Sequence, residues 1–153
     1  MLRISKLADY GTVAMVYLAK HAEILCNARD IAAHTHLSVP TVSKLLKKLA
    51  GAKLLISVRG VSGGYRLARD ASLISVADIL YALEEPRGLT ECAINPQDCF
   101  LHGVCHIKGN WKLISKAIES ALASVSLDAL AKPKFEGVDV QPILNLASGV
   151  SRV

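Results

Sequence analysis

Three of the four cysteines in this 153-residue chain crowd into one short stretch: Cys92, Cys99 and Cys105, spaced Cys-x6-Cys-x5-Cys, while Cys26 stands alone. Thiolates bind soft metals and iron–sulfur clusters, and reactive thiols also serve as redox switches. Paired zinc ligands usually stand about two to four residues apart, so this spacing disfavours a zinc knuckle. Wide intervals on an irregular loop can instead wrap a larger inorganic body. Taken alone, the spacing leaves a cluster, a zinc ion and redox thiols all open. A thiol-redox enzyme is disfavoured because no Cys-x-x-Cys pair occurs. No Ser/His/Asp or paired-carboxylate arrangement suggests an active site, so the chain reads as a non-enzyme.

A second chemical signal is one-signed charge. Between Asp30 and Asp70 there is no acidic residue, yet Lys44, Lys47, Lys48, Lys53, Arg59, Arg66 and Arg69 all fall there, in a chain of net charge +5. An ordinary solvated face mixes acids with bases. A stretch of one sign suits a polyanion, because each phosphate neutralised releases condensed counterions.

The elements that must position these residues follow from periodicity. Ser5 or Lys6 opens a helix ending near His21, and Asn27 caps a short one, Ala28–His34. Ser38 caps a third, in which Val42, Leu45, Leu46 and Leu49 form a buried stripe, with Gly51 as its terminator. Two short strands around Gly60-Val61-Ser62-Gly63-Gly64 read as a hairpin. Three helices and a basic hairpin make a winged helix-turn-helix. In such a motif the third helix lays its N-terminal side chains against base edges, here Pro40, Thr41, Ser43 and Lys44, with Lys47 and Lys48 toward phosphates. In the wing, Arg59 suits a narrow minor groove, and Gly60, Gly63 and Gly64 permit close backbone approach. The Walker ending of a nucleotide loop is missing. Ser75 caps a fourth helix, Val76–Leu83; residues 86–109 show little periodicity; and Asn110 caps a long helix with Trp111, Ile114, Ile118, Ala121, Leu122 and Val125 on an apolar face. A stripe of that breadth needs a partner, expected to be the same helix of a second copy.

Met1-Leu2-Arg3-Ile4-Ser5-Lys6, Val58-Arg59-Gly60 with Gly63-Gly64-Tyr65-Arg66-Leu67, and the three-cysteine loop before Trp111 together resemble the Rrf-type family of bacterial winged-helix regulators. The likeness spans nearly the whole chain to about Leu130, and the opening most resembles the branch that regulates the SUF cluster-assembly operon. The resemblance implies that Cys92, Cys99 and Cys105 each give a thiolate to one iron–sulfur cluster, and it adds Tyr65 to the DNA-binding wing. Cluster-assembly regulators of the family carry a histidine three residues after the last cysteine, where this chain has Lys108. Its nitric-oxide sensors borrow an aspartate from the partner's first helix, and Asp9 stands at that position. The implied cluster is therefore 4Fe–4S rather than 2Fe–2S, with Asp9 as fourth ligand and His102 and His106 as alternatives.

The resulting expectation is a mainly α protein: a winged helix-turn-helix over 1–85, a cluster-binding loop over 86–109, a long dimerisation helix region over 110–131 and a flexible tail over 132–153. Its partners would be a double-stranded DNA operator and a second copy, not a membrane. With no signal peptide visible, a cytoplasmic setting is expected. The function expected is repression of cluster-assembly genes in response to cluster status. The alternatives are a nitric-oxide or redox-sensing regulator of the same fold, or a zinc or thiol redox-switch protein.

Overall fold

The computed structural model describes residues 4–84, 89–95, 97, 99–101, 103–133 and 137, with backbone alone for Glu91, Cys92 and Lys108. Expectations resting on Met1–Arg3, on His102, on the Cys92 thiol and on the tail from 134 onward (Gly137 aside) lie outside the described residues.

Local capping chemistry starts each early helix. Ser5 precedes α1 (Lys6–Lys20) in extended conformation, and its hydroxyl accepts from Ala8 N at 3.2 Å. Asn27 does the same for α2 (Ala28–Thr35), accepting from Arg29 N and Asp30 N at 2.9 and 3.0 Å. Ser38 caps α3 (Val39–Gly51), whose Val42, Leu45, Leu46 and Leu49 are all buried. Burying each leucine of that stripe stabilises the fold by about 1.5–3 kcal/mol.

The end of α3 differs from the expected glycine stop. Gly51 is still helical; the left-handed residue is Lys53, at φ 60°. Lys53 N donates to Ala50 O and Leu54 N to Leu49 O, both at 3.0 Å, which is a Schellman closure with lysine where glycine is usual. Leu49 and Leu54 are both buried, so an apolar contact accompanies the turn and offsets the conformational cost.

The wing is the antiparallel pair β1 (Leu55–Val58) and β2 (Gly64–Leu67), in register Leu55↔Leu67 to Val58↔Gly64. A 3-10 turn, Ala71–Leu73, leads to α4 (Val76–Leu83), which carries a full capping box between Ser75 and Asp78. Arg69 Nη2 donates to Asp78 Oδ2 at 3.0 Å, so this arginine of the basic stretch is spent inside the protein.

Beyond α4 come α5 (Glu91–Ile94), α6 (Lys108–Ala123) and α7 (Leu127–Ala131). The α6 helix starts two residues before Asn110 and has no side-chain cap. The chain already coils ahead of it, with Cys105 N donating to Leu101 O at 2.9 Å, so no polar cap is needed to begin the helix. The apolar face foreseen for a partner is divided along its length. Leu122 packs on the core and Val125 is buried, whereas Trp111, Leu113 and Ile114 nearer the start are exposed. The following α7 packs on α1, and Leu127 is fully buried within its own chain. Backbone pairing ties this end down, with Val76 N to Val125 O at 2.9 Å and Leu127 N to Ile74 O at 2.7 Å. Among the described residues, no helix is long and apolar enough to cross a membrane.

Candidate nucleic-acid interface and cysteine segment

Two elements carry four exposed cations of the basic stretch that are unpaired among the described residues. On α3, Lys44 and Lys47 are exposed and have no acidic partner among the described residues. On the wing, Arg59 and Arg66 are likewise exposed and unpaired among the described residues. Arg66 was absent from the site residues expected from sequence. Its signal was the period-2 alternation of β2, which turns Tyr65 and Leu67 inward and leaves Arg66 outward.

At the start of α3, Pro40 is exposed in the first turn, where its missing N–H breaks no helical bond. Thr41 and Ser43 are half-buried, and the Thr41 hydroxyl lies 2.7 Å from Ser38 Oγ, within the cap itself. Lys48 behaves differently from its neighbours: its Nζ donates to Leu83 O, the last carbonyl of α4, at 3.4 Å.

The wing glycines also divide by role. Gly60 has φ 121°, a conformation that side-chain-bearing residues rarely adopt, and it is exposed at the tip. At Gly63 a Cβ would collide with Val58 O, and at Gly64 it would stand 2.8 Å from Cys26 O. The packing of the protein against itself thus requires both of these glycines, whatever approaches from outside. Tyr65 is half-buried against the core, and its backbone pairs with Cys26.

In the cysteine segment, Cys99 and Cys105 are free and half-buried. The backbone of Cys92 lies in α5, which packs on α6. The residues that flank these thiols in sequence, Phe100, Leu101, Val104 and Ile107, are exposed apolar side chains. Soft thiols of this kind fit an iron–sulfur cluster. Asp9 is exposed in the first turn of α1, and its carboxylate has no hydrogen-bond partner among the described residues. Among those residues no three potential ligands gather into one group, so neither Asp9 nor His106 joins Cys99 and Cys105 within a single chain.

Cys26 belongs elsewhere. It is buried at the base of the wing, and burial, followed by the nearby Asp30 carboxylate, pushes its thiol above the usual range. A thiol held neutral in this way is a packing residue, not a nucleophile or ligand.

A model of the Rrf2 family, described as an iron-dependent transcriptional regulator, matches residues 4–133. The HTH-type transcriptional regulator IscR of Xenorhabdus nematophila is 33% identical over 132 residues, covering 86% of this chain and 80% of that protein. Among solved structures, CymR, the global cysteine regulator of B. subtilis, matches with TM-score 0.68 and 32% identity, over 86% of this chain and 97% of that one. The structure of T. potens IscR matches with TM-score 0.65 and 35% identity, over 84% and 86%.

Proposed function

Since the chain belongs to the Rrf2 family of iron-dependent transcriptional regulators, and is a DNA-binding regulator with no enzymatic role, we propose that it is a cytoplasmic, homodimeric repressor of iron–sulfur cluster-assembly genes. By the resemblance of its opening residues, the target class is the SUF type. Cys92, Cys99 and Cys105 would hold a 4Fe–4S cluster, with Asp9 of the second copy as fourth ligand. Lys108 stands where a histidine would serve a 2Fe–2S cluster, which favours the larger cluster. Bound there, the cluster would supply a centre sensitive to oxidants, nitric oxide and iron supply.

The observation that carries this reading is the pair of free, half-buried thiols, Cys99 and Cys105, in the segment leading directly into α6. The apolar residues that flank them in sequence are exposed, as is the start of α6, which offers a second copy a place to dock. In that arrangement Pro40, Thr41, Ser43 and Lys44 would meet bases while Lys47 and Arg59 meet backbone and minor groove. A second reading has one specific support, the likeness to CymR, named a global cysteine regulator. Under it the same thiols would respond to thiol chemistry without a cluster.

Metal and sulfide analysis of protein purified without air separates the two readings. It should be combined with selection of an operator from a random duplex pool. The proposal expects iron and acid-labile sulfide together, and binding to the selected duplex that weakens steeply with salt. Zinc without sulfide, or thiols that cycle through a disulfide with no metal, would replace it by the alternative.

A further inference from the structure

The last turn of α4 is a junction of three elements. Leu83 fills the space beside Gly11 of α1, where any added Cβ would collide with Leu83 Cδ1, and Leu45 Cδ2 of α3 closes the same notch at 3.5 Å. Glu84 Oε1 accepts from Ser5 N, the cap residue of α1, at 2.7 Å. Lys48 Nζ reaches Leu83 O at 3.4 Å. Eight positions beyond Glu84 in the sequence stands Cys92.

Helical geometry explains why Lys48 goes there and Lys47 does not. Consecutive helix residues differ by about 100° around the axis. Lys48 sits one turn after Leu45, on the flank of the buried stripe next to α4; both lysines are exposed, but it is Lys48 whose Nζ reaches the end of α4. The final carbonyls of a helix lack amide donors and carry the negative end of its dipole. An ammonium placed on them is favourable, and while it sits there it is engaged within the protein.

We propose that Lys48 is a positioning residue and not a phosphate contact: it holds the reading helix α3 to the end of α4, so that the Leu83–Glu84 junction passes the state of the cysteine segment to α3. This rests on the proposed function above and names the route of its regulation. Lys48 links α3 directly to the point where the chain leaves α4 toward the thiols. Gly11 lets α1 approach the Leu83 side chain closely, and Glu84 ties the same turn to the start of the helix that carries Asp9.

The test measures affinity for the selected duplex against salt in the parent, Lys47→Met, Lys48→Met and Lys48→Arg. Each is measured metal-free and after anaerobic reconstitution, with amide hydrogen exchange of the metal-free proteins alongside. Losing a phosphate contact lowers the salt slope by about one. Lys47→Met should show that loss and unchanged exchange at Leu83 and Glu84. Lys48→Met should keep the parent slope, exchange faster at those amides and lose the affinity ratio between reconstituted and metal-free forms; Lys48→Arg should restore all three. A slope reduced by about one in Lys48→Met with exchange unchanged overturns the positioning role. A parent with no affinity ratio, or a ratio kept in Lys48→Met, overturns the transmission. Absence of salt-dependent binding in the parent removes the DNA-binding reading itself, and this proposal with it.

Discussion

Cys26 and Tyr65 exchange both backbone hydrogen bonds, at 3.0 and 2.8 Å. The second wing strand is thus paired on both edges, to β1 on one side and to the residue before the α2 cap on the other. Wing orientation is thereby fixed to the same connection that starts the helix-turn-helix. Gly64 makes this approach possible, since a Cβ there would meet the Cys26 carbonyl oxygen and carbon at 2.8 and 2.9 Å.

A Gly64→Ala substitution should therefore destabilise the protein by about 1–3 kcal/mol, the usual cost of forcing extra volume into a packed site. Gly103, beside which a Cβ would meet nothing within 4 Å among the described residues, is the control, and Gly103→Ala should change stability by less than about 0.5 kcal/mol. Urea denaturation of the two variants reads the difference directly. Equal midpoints would mean that the wing base relaxes freely.

The raised thiol of Cys26 has a consequence for alkaline stability. The folded state holds the proton more tightly than the unfolded chain, where a thiol titrates near about 8.5. The resulting stabilisation is complete below that pH and is lost as pH rises through the higher folded value. Burial, with Cys26 and Asp30 adding to it, also raises Tyr17, whose share is lost only further up, beyond the ordinary phenol value. Denaturation midpoints of Cys26→Ala should thus fall less steeply with pH than those of the parent between about pH 8.5 and 10. Parallel curves would assign the decline to other groups.

Self-association should depend on the exposed start of α6. Ile114 is 43% exposed, while Ile118 is only half-exposed and Leu122 packs on the core of its own chain. An aspartate at 118 would injure both the fold and any seam, which makes Ile114→Asp the cleaner probe. Burying that carboxylate in an apolar seam costs several kcal/mol. Sedimentation should show the parent as a dimer at micromolar concentration and Ile114→Asp as a monomer with a near-parental melting curve. A parent that sediments as a monomer would contradict the proposed assembly.

Cluster retention should separate the four cysteines. Cys92→Ala, Cys99→Ala and Cys105→Ala should each abolish or severely weaken the visible absorption of the anaerobically reconstituted protein, while Cys26→Ala should keep it. Asp9→Ala should leave dimerisation intact and speed loss of that absorption in air or nitric oxide. If its decay matches the parent, the fourth ligand lies elsewhere, with His106 and His102 next to be substituted.

The winged helix-turn-helix was legible because its signals are local. Ser5, Asn27, Ser38 and Ser75 announce helix starts through side chains that bond amides two or three residues away. The α3 stripe at 42, 45, 46 and 49 shows its buried face by period alone. The cysteine spacing singled out a segment but not its chemistry, because thiols at those intervals serve more than one centre; the expectation of a cluster came from the family resemblance.

Tertiary packing decided what each cation and glycine is for. Seven basic residues between Asp30 and Asp70 look equivalent along the chain, yet Arg69 is bound to Asp78, Lys48 reaches the end of α4, and Lys53 closes a helix in a left-handed turn. Gly63 and Gly64, expected to permit close backbone approach, have the protein's own backbone beside them. A side chain's neighbours across 20 or 40 residues depend on how helices cross, and that packing leaves no periodic mark in sequence. Composition could thus announce a basic, thiol-bearing chain, but only the packed structure shows which of its charges already have partners within the protein.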